Sequence, residues 1–93
     1  MTRDDFLAVL NAKPRGALNI AQWPPDDDDV VHVVVHNPRT KRQLSIDIPA
    51  DGPAYVLRID RRLDLSDEYI DPAGLASELR WVRDEAAIRN ARG

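Results

Sequence analysis

Two histidines, His32 and His36, stand four residues apart directly after a run of four aspartates, Asp26 to Asp29. On a helix that spacing would place both imidazoles on one face, where a single zinc ion could bind both. The segment that carries them, VVHVVVH, is dense in β-branched residues and predicts a strand from Val30 to His36 instead. On a strand the two rings share a face but lie about 13 Å apart, beyond the reach of one ion. The aspartate run lacks the glycine and the spaced oxygens of a calcium loop. No metal and no other cofactor is expected.

Hydrolytic chemistry is the second candidate. Residues Gln43 to Ile48 alternate cleanly, with Leu44, Ile46 and Ile48 on one face and Gln43, Ser45 and Asp47 on the other. Matching that apolar face to Val31, Val33 and Val35 permits the register Val35 to Leu44, Val33 to Ile46 and Val31 to Ile48. His32 then falls opposite Asp47, with Ser45 beside Arg58 on the same outer face. A histidine, a carboxylate and a serine so placed resemble a catalytic set only in composition. No glycine-rich nucleophile turn surrounds Ser45, and an open strand face excludes no water. Plain cross-strand complementarity accounts for the His–Asp pair. The expectation is a protein that is not an enzyme.

The same register separates charge. The turn NPRTK, with Arg39, Lys41 and Arg42, lies at one end of the sheet, and Asp26 to Asp29 lie at the other. Arg61 and Arg62 return to the basic end, as do Lys13 and Arg15 if ALNIAQW joins the sheet. Asp64, Asp67 and Glu68 follow closely and neutralise part of that pole. The charges have a simpler role as well. VVHVVV is a sheet-prone window without fixed charge, and prolines with aspartates on one side and basic residues on the other guard it against pairing with other chains.

These residues need a scaffold. Thr2 to Ala12 predicts a helix, capped by Thr2, with Phe6, Val9 and Leu10 as its apolar stripe and Pro14 and Gly16 as its stop. ALNIAQW is a weak fourth strand, ended by Trp23-Pro24-Pro25. After Val30–His36 and Gln43–Ile48, the segment Tyr55–Asp60 alternates Tyr55, Leu57 and Ile59 against Val56, Arg58 and Asp60. Tyr55, Ile59 and Leu63 also stand at helical spacing, but the β-branched content and the preceding turn favour a further strand. Asp71 is an N-cap with Pro72 at the first helical position, opening a helix of roughly Pro72 to Ala91. Its main stripe is Leu75, Leu79, Val82 and Ala86. Trp81 and Ile88 share a second face, as part of a wide core or as an apolar anchor for a partner. The expected fold is α+β: an antiparallel meander of three to four strands between an N-terminal and a long C-terminal helix.

Composition bounds the rest. The 93 residues make a single domain, residues 1–93, with a formal charge of −3 and no cysteine, which excludes disulfides and thiol catalysis. The acidic N-terminal stretch lacks the pattern of a secretory signal and no window has the length of a membrane span, so a cytoplasmic location without membrane association is expected. The functional expectation is a small protein-binding module, an adaptor, inhibitor or subunit of an assembly. Trp81, Ile88, Asp26, Asp27, Asp28 and Asp29 are its candidate contacts, and a homodimer is one expected form. The alternative is nucleic-acid binding with Arg39, Lys41, Arg42, Arg61 and Arg62 on phosphates. The acidic balance and the lack of aromatics interleaved with those bases rank it second.

Overall fold

The computed structural model describes residues 2–12, 18–60 and 63–83. In chain order these form α1 (Arg3–Ala12), β1 (Asn19–Gln22), β2 (Val30–Asn37), β3 (Arg42–Pro49), β4 (Ala54–Asp60), β5 (Leu63–Ile70) and α2 (Pro72–Arg83). The strands make one antiparallel sheet in the order β1-β2-β3-β4-β5, so the fold is α+β. The expected stop at Pro14 and Gly16, the bases Lys13, Arg15, Arg61 and Arg62, and the helix beyond Arg83 with Ala86 and Ile88 lie outside the described residues.

Local chemistry starts both helices where the sequence indicates. At α1 the Thr2 carbonyl accepts the Asp5 N–H at 3.1 Å, while the Asp5 carboxylate accepts the Thr2 N–H at 2.9 Å. Asp5 thus supplies the carboxylate half of a capping box, while the Thr2 carbonyl, rather than the expected hydroxyl, accepts from the first turn and Thr2 Oγ1 donates to Asp5. At α2 the Asp71 carboxylate accepts the Gly74 N–H at 2.7 Å and its carbonyl accepts the Leu75 N–H at 2.9 Å. Pro72 follows as the first helical residue, where its missing N–H costs nothing. No described helix is long and apolar enough to cross a membrane.

The central hairpin has the expected register: Val31 pairs with Ile48, Val33 with Ile46 and Val35 with Leu44. Those six side chains are buried and face the helices, and Phe6, Leu10, Leu75, Leu79 and Val82 close the core over them. Full burial of side chains this size contributes roughly 1.5–3 kcal/mol each. At the far end of α2 the β2–β3 hairpin supplies donors to helix carbonyls. Asn37 Nδ2 reaches the Val82 carbonyl at 3.0 Å and an Arg42 guanidinium N–H reaches that of Trp81 at 2.7 Å.

Two expectations are corrected. Leu63–Ile70 forms a fifth strand, which the acidic segment LDLSDEYI conceals because aspartate and glutamate are poor strand formers. The inward face of β4 is also the opposite of the one its hydrophobic pattern suggests. Ile46 pairs with Val56 and Leu44 with Arg58, so Ala54, Val56 and Arg58 face the helices while Tyr55, Leu57 and Ile59 face out. Ser45 accordingly pairs with Leu57 rather than lying beside Arg58. The inward arginine is tolerated because α2 brings Glu78 to it. Arg58 grips both oxygens of the Glu78 carboxylate and also bonds Glu68 and Ser66 on β5.

Both described helices therefore lie on one face of the sheet. The other carries His32, Val34 and His36 from β2, Ser45 and Asp47 from β3, Tyr55, Leu57 and Ile59 from β4 and Tyr69 from β5. Most of these are only half-buried, and no described helix covers them.

Candidate functional site at the acidic end of the open sheet face

The aspartate run is a built turn rather than a solvated string. Asp26 organises it. Its carbonyl accepts the Asp29 N–H at 2.9 Å and its N–H donates to the Val30 carbonyl at 3.1 Å. One carboxylate oxygen accepts the N–H groups of Asp28 at 2.9 Å and Val30 at 3.0 Å. This is the local self-bonding that makes aspartate a turn former. Asp29 adopts a left-handed conformation, φ 59°, which short polar side chains tolerate best. Arg3 of α1 holds it through the Asp29 carbonyl and through its carboxylate at 3.1 Å. Asp27 and Asp28 are exposed, and neither carboxylate has a partner among the described residues.

The turn is tied to the sheet by His32. Its Nδ1 lies 2.7 Å from the Asp47 carboxylate across the β2–β3 pairing, and its Nε2 lies 2.8 Å from the remaining oxygen of Asp26. A neutral imidazole has one N–H, so only the imidazolium donates to both carboxylates. The bond to Asp26, then that to Asp47, raises the His32 pKa above its ordinary value. The bond from His32 likewise lowers that of Asp26, with the N–H of Val30 adding to the effect. The arrangement explains the His32–Asp47 pair without catalysis: with both ring nitrogens engaged, neither is placed to take a proton from Ser45. Among the described residues, no three side chains of histidine, cysteine, aspartate or glutamate gather as a metal-ligand set.

Beside this clip lies an open groove of about 420 Å³, lined by Asp26, Asp28, Val30, His32, Asp47, Pro49, Pro53, Tyr55 and Tyr69. The tyrosines face each other across β4 and β5, ring centroids 5.2 Å apart in an edge-to-face arrangement. The Tyr55 hydroxyl donates to Asp67, which raises the Tyr55 pKa and fixes that ring. Tyr69 is 68% exposed and Trp23, which leads into the aspartate turn, is 50% exposed. They are the two large hydrophobic side chains most open to solvent among the described residues. Asp26 and Asp28 were visible in the sequence as candidates. Tyr55, Tyr69, Pro49 and Pro53 were not, because only the pairing of the unforeseen β5 with β4 brings the two rings together.

The other candidates are elsewhere. The turn bearing Arg39 and Lys41 lies at the opposite end of β2, about 23 Å from the aspartates at the rise of a strand. Arg39 and Lys41 are exposed there. Arg42 is engaged by the fold: its guanidinium lies 4.9 Å from the Trp81 ring centre, 3.8 Å from Asp60, and bonds the Trp81 carbonyl. Trp81 is half-buried, packing on the core with Arg42 over its ring. Its expected companion Ile88, and Arg61 and Arg62 of the basic set, lie outside the described residues. Comparison with protein-family models, curated proteins and solved structures finds no match for this chain.

Proposed function

We propose that this protein is a small non-enzymatic protein-binding module whose partner docks on the open face of the sheet, at its acidic end. One observation carries the reading. The helices cover one face of the sheet, while the other offers half-buried Val34, Leu57 and Ile59 continuous with an acidic, tyrosine-walled groove. A centre of apolar and aromatic side chains with charge at its rim is the composition of a protein interface. Carboxylates at the rim select a basic partner and speed its approach. The engagement of Arg42 by Trp81 and Asp60 supports this reading over phosphate binding at the basic end.

Capture from a lysate of the native cell, using the wild type and three variants, tests the proposal. Leu57→Glu and Tyr69→Ala alter the open face, whereas Arg80→Glu alters the exposed side of α2. Circular dichroism establishes that each variant is folded. The expected outcome is a partner lost with Leu57→Glu and Tyr69→Ala and retained with Arg80→Glu. The reverse pattern would move the interface to the helical face and refute the proposal.

A further inference from the structure

The groove has walls of two kinds, and together they select one kind of side chain. Pro49, Pro53 and Val30 offer apolar surface, Tyr69 offers an exposed aromatic ring, and Asp26, Asp28 and Asp47 supply carboxylates. Those carboxylates are not equivalent. Asp26 and Asp47 share the positive charge of His32, so the three groups together retain one negative charge. Asp28 adds a carboxylate without a partner among the described residues, on a turn whose backbone Asp26 fixes. An anionic group entering here would meet net negative charge, and a purely apolar one would leave Asp28 facing it unpaired.

A flat cation with an aliphatic stem satisfies every wall. We propose that the groove is a subsite for an arginine side chain from an exposed segment of a partner protein, a proposal that rests on the open sheet face being the docking surface. The guanidinium stacks on Tyr69 and donates to Asp28, while its methylenes lie along Pro49 and Pro53. Arginine is preferred to lysine because its planar group combines stacking with paired hydrogen bonds to a carboxylate, and because it sheds water more readily than an ammonium. The turn and the β4–β5 pair hold these elements in place before any ligand arrives. Arg3 on Asp29, His32 on Asp26 and Asp47, and Tyr55 on Asp67 each fix one wall.

The test is an NMR titration of the ¹⁵N-labelled protein with acetyl-Gly-Arg-Gly-amide and with its lysine and citrulline counterparts. Citrulline keeps the shape and removes the charge. The expected result is saturable shifts at the amides of Val30, His32, Asp47, Tyr55 and Tyr69. Arginine should bind tightest, and the citrulline peptide at least about three- to five-fold more weakly, the size of an exposed cation–π contribution. Asp28→Asn and Tyr69→Ala should each weaken the arginine peptide by a similar factor. Tyr69→Leu, which keeps an apolar wall, should also weaken it and guards against a loss caused by local unfolding. Equal binding of citrulline and arginine would overturn the proposal. So would non-saturating shifts that also involve Lys41 and Asp60, at the opposite end of the sheet. If the peptide titration fails while Leu57→Glu still abolishes partner capture, the arginine subsite falls and the docking face stands. If both fail, the face itself is wrong.

Discussion

Arg58, on the inward face of β4, and Glu78, on the buried side of α2, form a two-point ion pair between sheet and helix, with side chains 17% and 11% exposed. The pairing drives the Arg58 pKa upward, chiefly through Glu78, so the guanidinium stays charged under all ordinary conditions. Removing one partner leaves a mostly buried charge, which costs about 3–5 kcal/mol in fully buried cases. Glu68 remains bonded to Arg58, so Glu78→Ala should destabilise by roughly 2–3 kcal/mol, below that range. Replacing both residues, Arg58→Met with Glu78→Leu, should bring stability to within about 1 kcal/mol of the wild type. Urea denaturation of the two variants checks both values.

The His32 clip predicts opposite pH dependences for His32 and Asp26. The His32 pKa is raised, so its contribution to stability is fully present below the ordinary histidine value of about 6.5 and fades as pH rises through the raised value. The Asp26 pKa is lowered, so its contribution is present above the ordinary value of about 3.8 and fades as pH falls through the depressed one. NMR titration of the His32 ring should give a midpoint above that of a free histidine, and Asp26→Asn should move it down. An unchanged midpoint in Asp26→Asn would show that Asp26 does not hold the ring.

The four aspartates should separate in mutagenesis. Asp26→Ser removes the acceptor of two backbone N–H groups and of His32, so it should lower the melting temperature. Asp27→Ser removes an exposed carboxylate without a partner among the described residues and should leave the melting temperature unchanged. Replacing all four should also increase light scattering during refolding, if the run guards VVHVVV as well as forming the turn. Equal melting temperatures for the two single variants would refute the structural role given to Asp26.

Lys41 closes the β2–β3 turn with φ 67°, its N–H bonded to the Asn37 carbonyl at 2.9 Å. A left-handed backbone costs a residue with a Cβ on the order of 1 kcal/mol, and glycine avoids that cost. Lys41→Gly should therefore raise stability by up to about 1 kcal/mol, read from thermal melts. A destabilised variant would show that the lysine side chain contributes more than its backbone geometry costs.

How far the sequence foretells this structure depends on where each determinant lies. The β2–β3 register was legible because both strands alternate without a break, so only one parity buries Val31, Val33 and Val35 against Leu44, Ile46 and Ile48. The start of α2 was legible because Asp71 and Pro72 act locally. The face of β4 was not. Tyr55, Leu57 and Ile59 are the more apolar set, yet they point outward, because the inward Arg58 finds its counter-charge on α2, a position that local alternation does not convey. β5 was hidden by Asp64, Asp67 and Glu68. It also slips register by a residue between the pairs Arg58–Ser66 and Ile59–Asp64, which breaks simple alternation. Missing β5 meant missing Tyr69 as a neighbour of Tyr55, and with it the groove. The aspartates were recognised as a feature, but their folding into a turn depends on His32 and Arg3, six and 26 residues away.

The proposed docking of a partner on the sheet face opposite the helices places Leu57 within the partner's reach. Site-specific photo-crosslinking in the native cell tests it most directly, with the photoreactive residue placed at Leu57 on the open face or at Ser77 on the exposed side of α2. The expected result is a discrete adduct from position 57 that disappears with Tyr69→Ala, and none from position 77. An adduct from position 77 with none from position 57 would contradict it.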